Sequence, residues 1–364
     1  MADAAAGRAG GFRRRHRPPP HAARVLRAGL QSRRARLPRP RAHRPATAQA
    51  RRGRHAARGS LEGARAARLG GAHELPRARR ADGRRRARAR TEERAGRAEL
   101  ALRVLVTGGA GFIGSHLVRA CLDAGEDVRV FDDMSSGKAE NLSEVAGEIE
   151  LVRGSVVDLP ALERAALGCE VVYHQAAIAS VPQSVDDPVG THDVNATGTL
   201  HALEAARRAG SRRFVLASST AVYGDGPQLP KREDMPCDPR SPYALQKLLG
   251  ELYCEQYARL FGFEAVALRY FNVFGPRQDP SSMYAGVIPR FVAALRAGER
   301  PRIFGDGLQS RDFVYVADVV AANRACANAP AALAGKTINV GRGVRTTLLE
   351  LLQRIGDALG RPVP

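Results

Sequence analysis

Tyr243 and Lys247 stand four residues apart in Ser241-Pro242-Tyr243-Ala244-Leu245-Gln246-Lys247, a spacing that puts both side chains on one face of a helix. Ser241 can serve as its N-cap and Pro242 as its first residue. An ammonium beside a phenol favours the phenolate, so the tyrosine pKa is expected to fall from about 10 towards neutrality. Such a tyrosine is a general base able to take a proton from a hydroxyl. Upstream, Ser218-Ser219-Thr220 closes an apolar run, where a hydroxyl can hydrogen-bond the reacting oxygen and relay its proton. Taken singly, the tyrosine–lysine spacing also fits an ordinary amphipathic helix, and the hydroxyl cluster an ordinary turn cap.

A third signal precedes both. Gly108, Gly111 and Gly114 lie between the apolar Val104-Leu105-Val106 and an amphipathic stretch. A turn without Cβ atoms lets a dinucleotide pyrophosphate approach the backbone and rest on free N–H groups at a helix start, here around Phe112 and Ile113. Asp132 ends the next apolar run. A carboxylate there accepts hydrogen bonds from an adenosine ribose and repels a 2′-phosphate, which favours NAD over NADP. The alternative is a helix or turn cap at Asp132 or Asp133. Ala176 and Ala177 follow the fourth run and are small enough for the cofactor to lie close. A nicotinamide ring would add its positive charge to that of Lys247 beside Tyr243.

These residues need a sheet whose strands all end on one edge. Strand-like runs at 103–107, 127–132, 149–153, 170–175, 213–218 and 264–272 alternate with helical patterns at 112–124, 161–167, 193–209 and 243–261. That alternation predicts an α/β fold, a doubly wound parallel sheet with ligands at the carboxyl ends of the strands. Residues 101–275 form the expected nucleotide-binding domain. Residues 276–364, with Gly- and Pro-rich loops, form mainly a smaller substrate-binding lobe, from which 312–320 returns to the first domain.

The formal charge of +20 is unevenly placed. Residues 1–100 hold 29 of the 57 basic residues, all arginine, and 7 of the 37 acidic ones, a net of +22 against −2 for the remainder. This Arg/Ala-rich segment has one aromatic residue, Phe12, and too little apolar mass to offset the entropy of ordering it. Its lack of lysine favours upstream DNA translated ahead of a start near Leu102 over an arm that binds nucleic acid. No apolar run is long enough to span a bilayer. Cys121, Cys169, Cys237, Cys254 and Cys326 are scattered, as expected of buried thiols in a reducing cytoplasm rather than a disulfide framework or metal site.

From about Leu102 onward the chain resembles the extended short-chain dehydrogenase/reductase family, and within it the UDP-hexose 4-epimerases. The resemblance is carried by TGGAGFIGSHL (107–117), SSTAVYG (218–224), SPYALQK (241–247), LRYFNVFGPRQDP (268–280) and GDGLQSRDFVYVADV (305–319). In such enzymes NAD removes hydride from C4 of the sugar while the tyrosine takes the O4 proton, and the 4-keto sugar turns before it is reduced from the other face. The resemblance implies Tyr243 as base, Lys247 on the nicotinamide ribose and Ser219 as hydroxyl relay, with Thr220 in reserve. It implies Asn272 and Arg311 on the substrate diphosphate. It also implies cofactor contacts at Ser155, which replaces the family's adenine-contacting aspartate, and at neighbouring Val156.

Sister dehydratases and decarboxylases carry carboxyl groups just after the first serine, where this chain has Ser219, Thr220 and Ala221. A 4-epimerase is therefore expected, with another nucleotide-sugar oxidoreductase or dehydratase, or a non-catalytic dinucleotide-binding protein, as alternatives. The family's homodimers predict pairing through 193–209 and 243–261. Family members extend beyond the point corresponding to Pro364, so the substrate lobe is expected to be incomplete.

Overall fold

The computed structural model describes residues 102–279, 286–329 and 333–363; the arginine-rich segment lies outside them. The main sheet contains β1 (Arg103–Thr107), β2 (Asp127–Asp132), β3 (Ile149–Arg153), β4 (Val171–His174), β5 (Arg213–Ser219), β6 (Glu264–Tyr270) and β10 (Lys336–Val340). These seven strands run parallel in the order β10-β6-β5-β4-β1-β2-β3. The chain thus winds outward from β1 in both directions, the doubly wound arrangement expected from the alternating runs.

Strand alternation sends successive side chains to opposite faces. Val104 and Val106 bury with Leu117 and Val118 of α1 (Phe112–Asp123) and with Val319 and Val320 of α6 (Val316–Ala327). Leu105, Phe131 and Leu216 face the other way. They meet Leu162 of α2 (Leu159–Ala166), Leu203 of α3 (Gly198–Arg208) and Cys254 of α4 (Pro242–Phe261). Each fully buried aliphatic or phenyl side chain in these layers contributes about 1.5–3 kcal/mol.

Two expectations change. The run 264–272 is not one strand: the chain leaves the main sheet after Tyr270, and β7 (Asn272–Phe274) pairs instead with β9 (Phe313–Tyr315). The returning segment is also longer than 312–320. It continues through α6 and ends in β10, the edge strand beside β6. Ile338 and Val340 are buried, whereas Lys336 is exposed, so this short strand lacks the continuous apolar run by which the others were found.

The smaller lobe packs α5 (Val287–Ala297) against α7 (Leu348–Leu359) around Phe291, Leu295, Phe313, Leu351 and Leu352. Thr347 and Glu350 cap the start of α7 reciprocally. In the same lobe β8 (Ser310–Arg311) pairs antiparallel with β11 (Thr346–Thr347).

Candidate active site

The carboxyl ends of β1, β4, β5 and β6 open onto a cavity of about 1090 Å³. Ordinary ligand pockets run to about 300–1,000 Å³, so this one has room for a dinucleotide together with a substrate. At one end lies the glycine turn. Gly108 has φ of 67°, and a Cβ there would stand 2.6 Å from the Ala176 backbone nitrogen. A Cβ on Gly114 would overlap the Gly108 carbonyl oxygen. Gly111 caps α1 without a side chain, leaving the first-turn N–H groups at Phe112, Ile113 and Gly114 to face the cavity these residues line. This cradle fits a pyrophosphate.

Asp132, at the end of β2, is buried and lines the same cavity. Its Oδ2 accepts from the Ala110 N–H at 2.9 Å and its Oδ1 from the Met134 N–H at 2.8 Å. The turn-cap role therefore coexists with the cavity position, because each carboxylate oxygen has a second lone pair. Asp133 caps only its own turn, accepting from the Ser135 N–H. Ala176, Ala177 and Val156 line the cavity, but Ser155 does not. The Ser155 carbonyl accepts from the Asp158 N–H, in the tight connection leading to α2.

At the other end α4 presents Tyr243 and Lys247. Ser241 accepts from the Ala244 N–H at 3.2 Å, Pro242 occupies the first turn, and the Ser184 hydroxyl accepts the Tyr243 N–H at 3.0 Å. Gln246, buried, binds Asn195 and Thr191 and holds the helix against the preceding segment. Lys247 Nζ donates to the Ala217 carbonyl at 3.0 Å and lies 5.9 Å from the centre of the Tyr243 ring. Ser219 lines the cavity while accepting from the Ala221 N–H at 3.2 Å. Thr220 opens a single turn of 3₁₀ helix and does not line the cavity, which leaves Ser219 as the hydroxyl beside the phenol.

The expected fall in the Tyr243 pKa belongs to a phenol flanked by both Lys247 and a nicotinamide ring; the protein's own contribution has the opposite sign. Burial raises the pKa, with the nearby Ser219 hydroxyl acting in the opposite direction. Burial also pulls Lys247 down to about 8, so the ammonium is still the main form at neutral pH. A bound nicotinamide would add its positive charge beside the phenol and favour the phenolate.

Asn272 is at the cavity wall, and its side-chain amide donates to the Asp312 carbonyl at 3.2 Å. Arg311 is exposed on β8, donates to the Ser310 carbonyl and does not line the cavity. Sequence reasoning missed Arg277, a cavity-lining cation with φ of 67° in the loop that follows β7. A basic residue beside a Gly-Pro step, just after Asn272, was the available signal. It also missed His174, buried between the Thr107 hydroxyl at 2.8 Å and the Thr199 hydroxyl at 3.2 Å. Burial, helped by Lys247, pushes this imidazole down to about 3, so it is a neutral spacer beneath the glycine turn.

The profile of the NAD dependent epimerase/dehydratase family matches residues 104–341. The UDP-glucose 4-epimerase of Mycolicibacterium smegmatis is 46% identical over 265 residues, which cover 72% of this chain and 84% of that protein. A solved structure of a UDP-N-acetylglucosamine 4-epimerase from Methanobrevibacter ruminantium M1, in complex with UDP-N-acetylmuramic acid, aligns with a TM-score of 0.69 at 41% identity, covering 72% of this chain and 84% of that one. The UDP-glucose 4-epimerase of Thermus thermophilus, in complex with NAD, aligns with a TM-score of 0.65 at 39% identity, covering 71% and 84%. With its cradle, its acidic β2 terminus and its serine, tyrosine and lysine on one cavity, this chain belongs to the NAD-dependent epimerase/dehydratase family.

Proposed function

We propose that this protein is an NAD-dependent UDP-hexose 4-epimerase. The observation that carries the reading is the meeting of Ser219, Tyr243 and Lys247 at one end of a cavity whose other end is the glycine cradle and Asp132. NAD, when bound, supplies reversible hydride acceptance at C4 of the sugar. Tyr243 takes the O4 proton, leaving a 4-keto sugar, and returns it after the sugar has turned. Ser219 hydrogen-bonds O4, and Lys247 keeps a positive charge beside the phenol. Asn272 and Arg277, both on the cavity wall, are the groups we assign to the substrate diphosphate, a role that suits a guanidinium.

Epimerisation is favoured over elimination by where the carboxylates are. Among the described residues lining the cavity they are Asp132 and Asp133 at the cofactor end and Asp279, which pairs with Lys138 at 2.7 Å. The positions after Ser219 carry Thr220 and Ala221, which offer no carboxylic acid–base pair. The relatives' UDP-glucose and UDP-N-acetylglucosamine chemistry supports the same substrate class. The test is to incubate the purified protein with each of these nucleotide sugars and follow the anomeric protons by NMR. Formation of the galacto epimer is expected; unchanged sugar or released NADH overturns the reading.

Asp132→Asn tests the cofactor assignment. Loss of a charged acceptor should weaken NAD binding about tenfold, about 1.4 kcal/mol, and narrow the preference over NADP. Calorimetric titration with both dinucleotides measures each effect.

A homodimer is part of the proposal. Val185, Val189, Leu245 and Leu252 are exposed, and Leu245 and Leu252 line a shallow groove with His192, Leu248 and Leu249. This apolar face includes the outward side of α4, one of the two segments expected to pair; Val185 and Val189 precede the other, 193–209. Sedimentation should give the dimer mass, and Leu245→Glu combined with Leu252→Glu the monomer mass. A cytoplasmic location is consistent with unpaired Cys121, Cys169, Cys254 and Cys326, all buried. No helix among the described residues is long and apolar enough to cross a membrane.

A further inference from the structure

Behind the cavity wall lies an ion pair that the proposed chemistry does not use. Glu251 and Arg269 are about 4% and 5% exposed. Arg269 Nε donates to Glu251 Oε1 at 2.9 Å and Nη2 to Oε2 at 2.7 Å, a fork that fixes the carboxylate in one orientation. The guanidinium carbon lies 4.6 Å from the centre of the Tyr223 ring, and Nη2 also reaches the Cys237 sulfur at 3.2 Å. Arg269 Nη1 has no hydrogen-bond partner among the described residues. Burying two charges and leaving one guanidinium nitrogen unpaired is weak evidence for a stability role, since well-packed apolar residues often serve as well.

The carboxylate has one further partner. The Ser218 hydroxyl donates to Glu251 Oε1 at 2.5 Å. Ser218 immediately precedes Ser219, and Glu251 is four residues beyond Lys247 on α4. Tyr243, Lys247 and Glu251 therefore form a row along one face of the helix. The row meets the end of β5 at three consecutive residues: Tyr243 beside Ser219, Lys247 on the Ala217 carbonyl and Glu251 on the Ser218 hydroxyl. Rotation or sliding of α4 against β5 would break the third contact as it separated the first two.

We propose that Glu251, oriented by Arg269, is a positioning residue that acts through Ser218 to hold Ser219 in register with Tyr243 and Lys247. The inference rests on the epimerase reading for its kinetic consequence, but the register can be read without turnover. Glu251 and Arg269 do not touch the sugar in this assignment, because both lie outside the cavity wall; Ser218 is at the wall and donates its proton to Glu251.

The experiment compares NAD-loaded wild type with Ser218→Ala, Ser218→Thr and Glu251→Gln. Two quantities are read: kcat and KM for UDP-glucose, and the pH titration of the ultraviolet phenolate band, taken as the difference from a matched protein that also carries Tyr243→Phe. Ser218→Ala leaves the ion pair whole and removes its link to β5; since Ser218 is also at the cavity wall, the Tyr243 titration, read without sugar, separates loss of register from loss of a sugar contact. It should lower kcat about tenfold, within the range expected for displacement of a catalytic group by a fraction of an ångström, with KM nearly unchanged. The Tyr243 titration should move to higher pH, since the phenolate loses its best-placed hydroxyl and ammonium. Ser218→Thr restores the hydroxyl and should recover both quantities, which a simple packing role would not predict.

Glu251→Gln should lower kcat further. If that variant does not fold, Ser218→Ala still decides the matter. Wild-type kcat and an unmoved titration in folded Ser218→Ala overturn the proposal. If wild type fails to epimerise while the titration shifts as expected, the substrate reading falls and the positioning role stands.

Discussion

Tyr243→Phe is expected to leave the protein folded and NAD bound while lowering kcat by about 10²–10⁴-fold, the range of a lost general acid–base. The structure indicates why the effect should be confined to the chemistry. Ser219 keeps its hydrogen bond from the Ala221 N–H and Lys247 its bond to the Ala217 carbonyl. Removing the phenol hydroxyl therefore strands neither neighbour. The Tyr243 backbone N–H remains on Ser184, so the start of α4 is unchanged. KM for the nucleotide sugar should move little, because the hydroxyl acts on the proton in flight more than on the ground state. Anomeric-proton NMR measures turnover, and cofactor absorbance after gel filtration measures retained NAD. Near-normal turnover in a folded, NAD-bound variant would remove Tyr243 as the base.

The pH dependence follows from the same residue. Burial lifts the cofactor-free phenol above its ordinary range, so little phenolate exists near neutrality. In the proposed mechanism bound NAD would bring that pKa down, so that the tyrosine can accept a proton. The sign is fixed: kcat rises with pH as Tyr243 loses its proton, and the cofactor-free protein shows the same ionisation at higher pH. Deprotonation of Lys247 from about 8 upward opposes this by removing positive charge from beside the phenolate.

The sequence carried those parts of the site made from local patterns. The glycine turn, the acidic end of β2 and the Tyr243–Lys247 helix face each lie within one strand–turn–helix or one pair of helical turns, so spacing reveals them. The hydroxyl cluster 218–220 was found by its position at a strand end, and the family resemblance picked Ser219 from it. What escaped depended on packing between distant elements. The Glu251–Arg269 pair joins α4 to β6, and His174 joins β4 to β1 and α3. β10 was missed because it lies at the sheet edge, where Lys336, Thr337 and Asn339 interrupt the apolar run. Arg311 and Ser155 were assigned through the family resemblance alone, and neither is among the residues lining the cavity. Arg277 shows the converse, since a left-handed residue in a loop can bring a charge to the wall without any periodic signal.

Gly114→Ala should produce the largest structural effect of a single methyl group at this site. The new Cβ would overlap the Gly108 carbonyl oxygen and press on the Gly109 Cα at 2.9 Å. Both opposing atoms are backbone, so no side chain can swing aside. Relief requires α1 to move away from the end of β1, although Leu117 and Val118 of that helix are fully buried on the sheet. Overpacking of a core costs about 1–3 kcal/mol, and an unyielding backbone contact puts this substitution at the upper end of that range. Cofactor loss should be more complete than the destabilisation alone would cause, because the same shift carries the N–H groups at Phe112 and Ile113 away from the pyrophosphate cradle. Chemical unfolding measures the first effect, and NAD retained through purification the second. Gly147→Ala supplies the control: its Cβ would meet nothing within 4 Å, and stability should change by no more than about 0.5 kcal/mol. A Gly114→Ala protein that keeps both its cofactor and its stability would show that α1 is free to slide on the sheet, and the close approach of Gly114 to Gly108 would then not be what shapes the dinucleotide site.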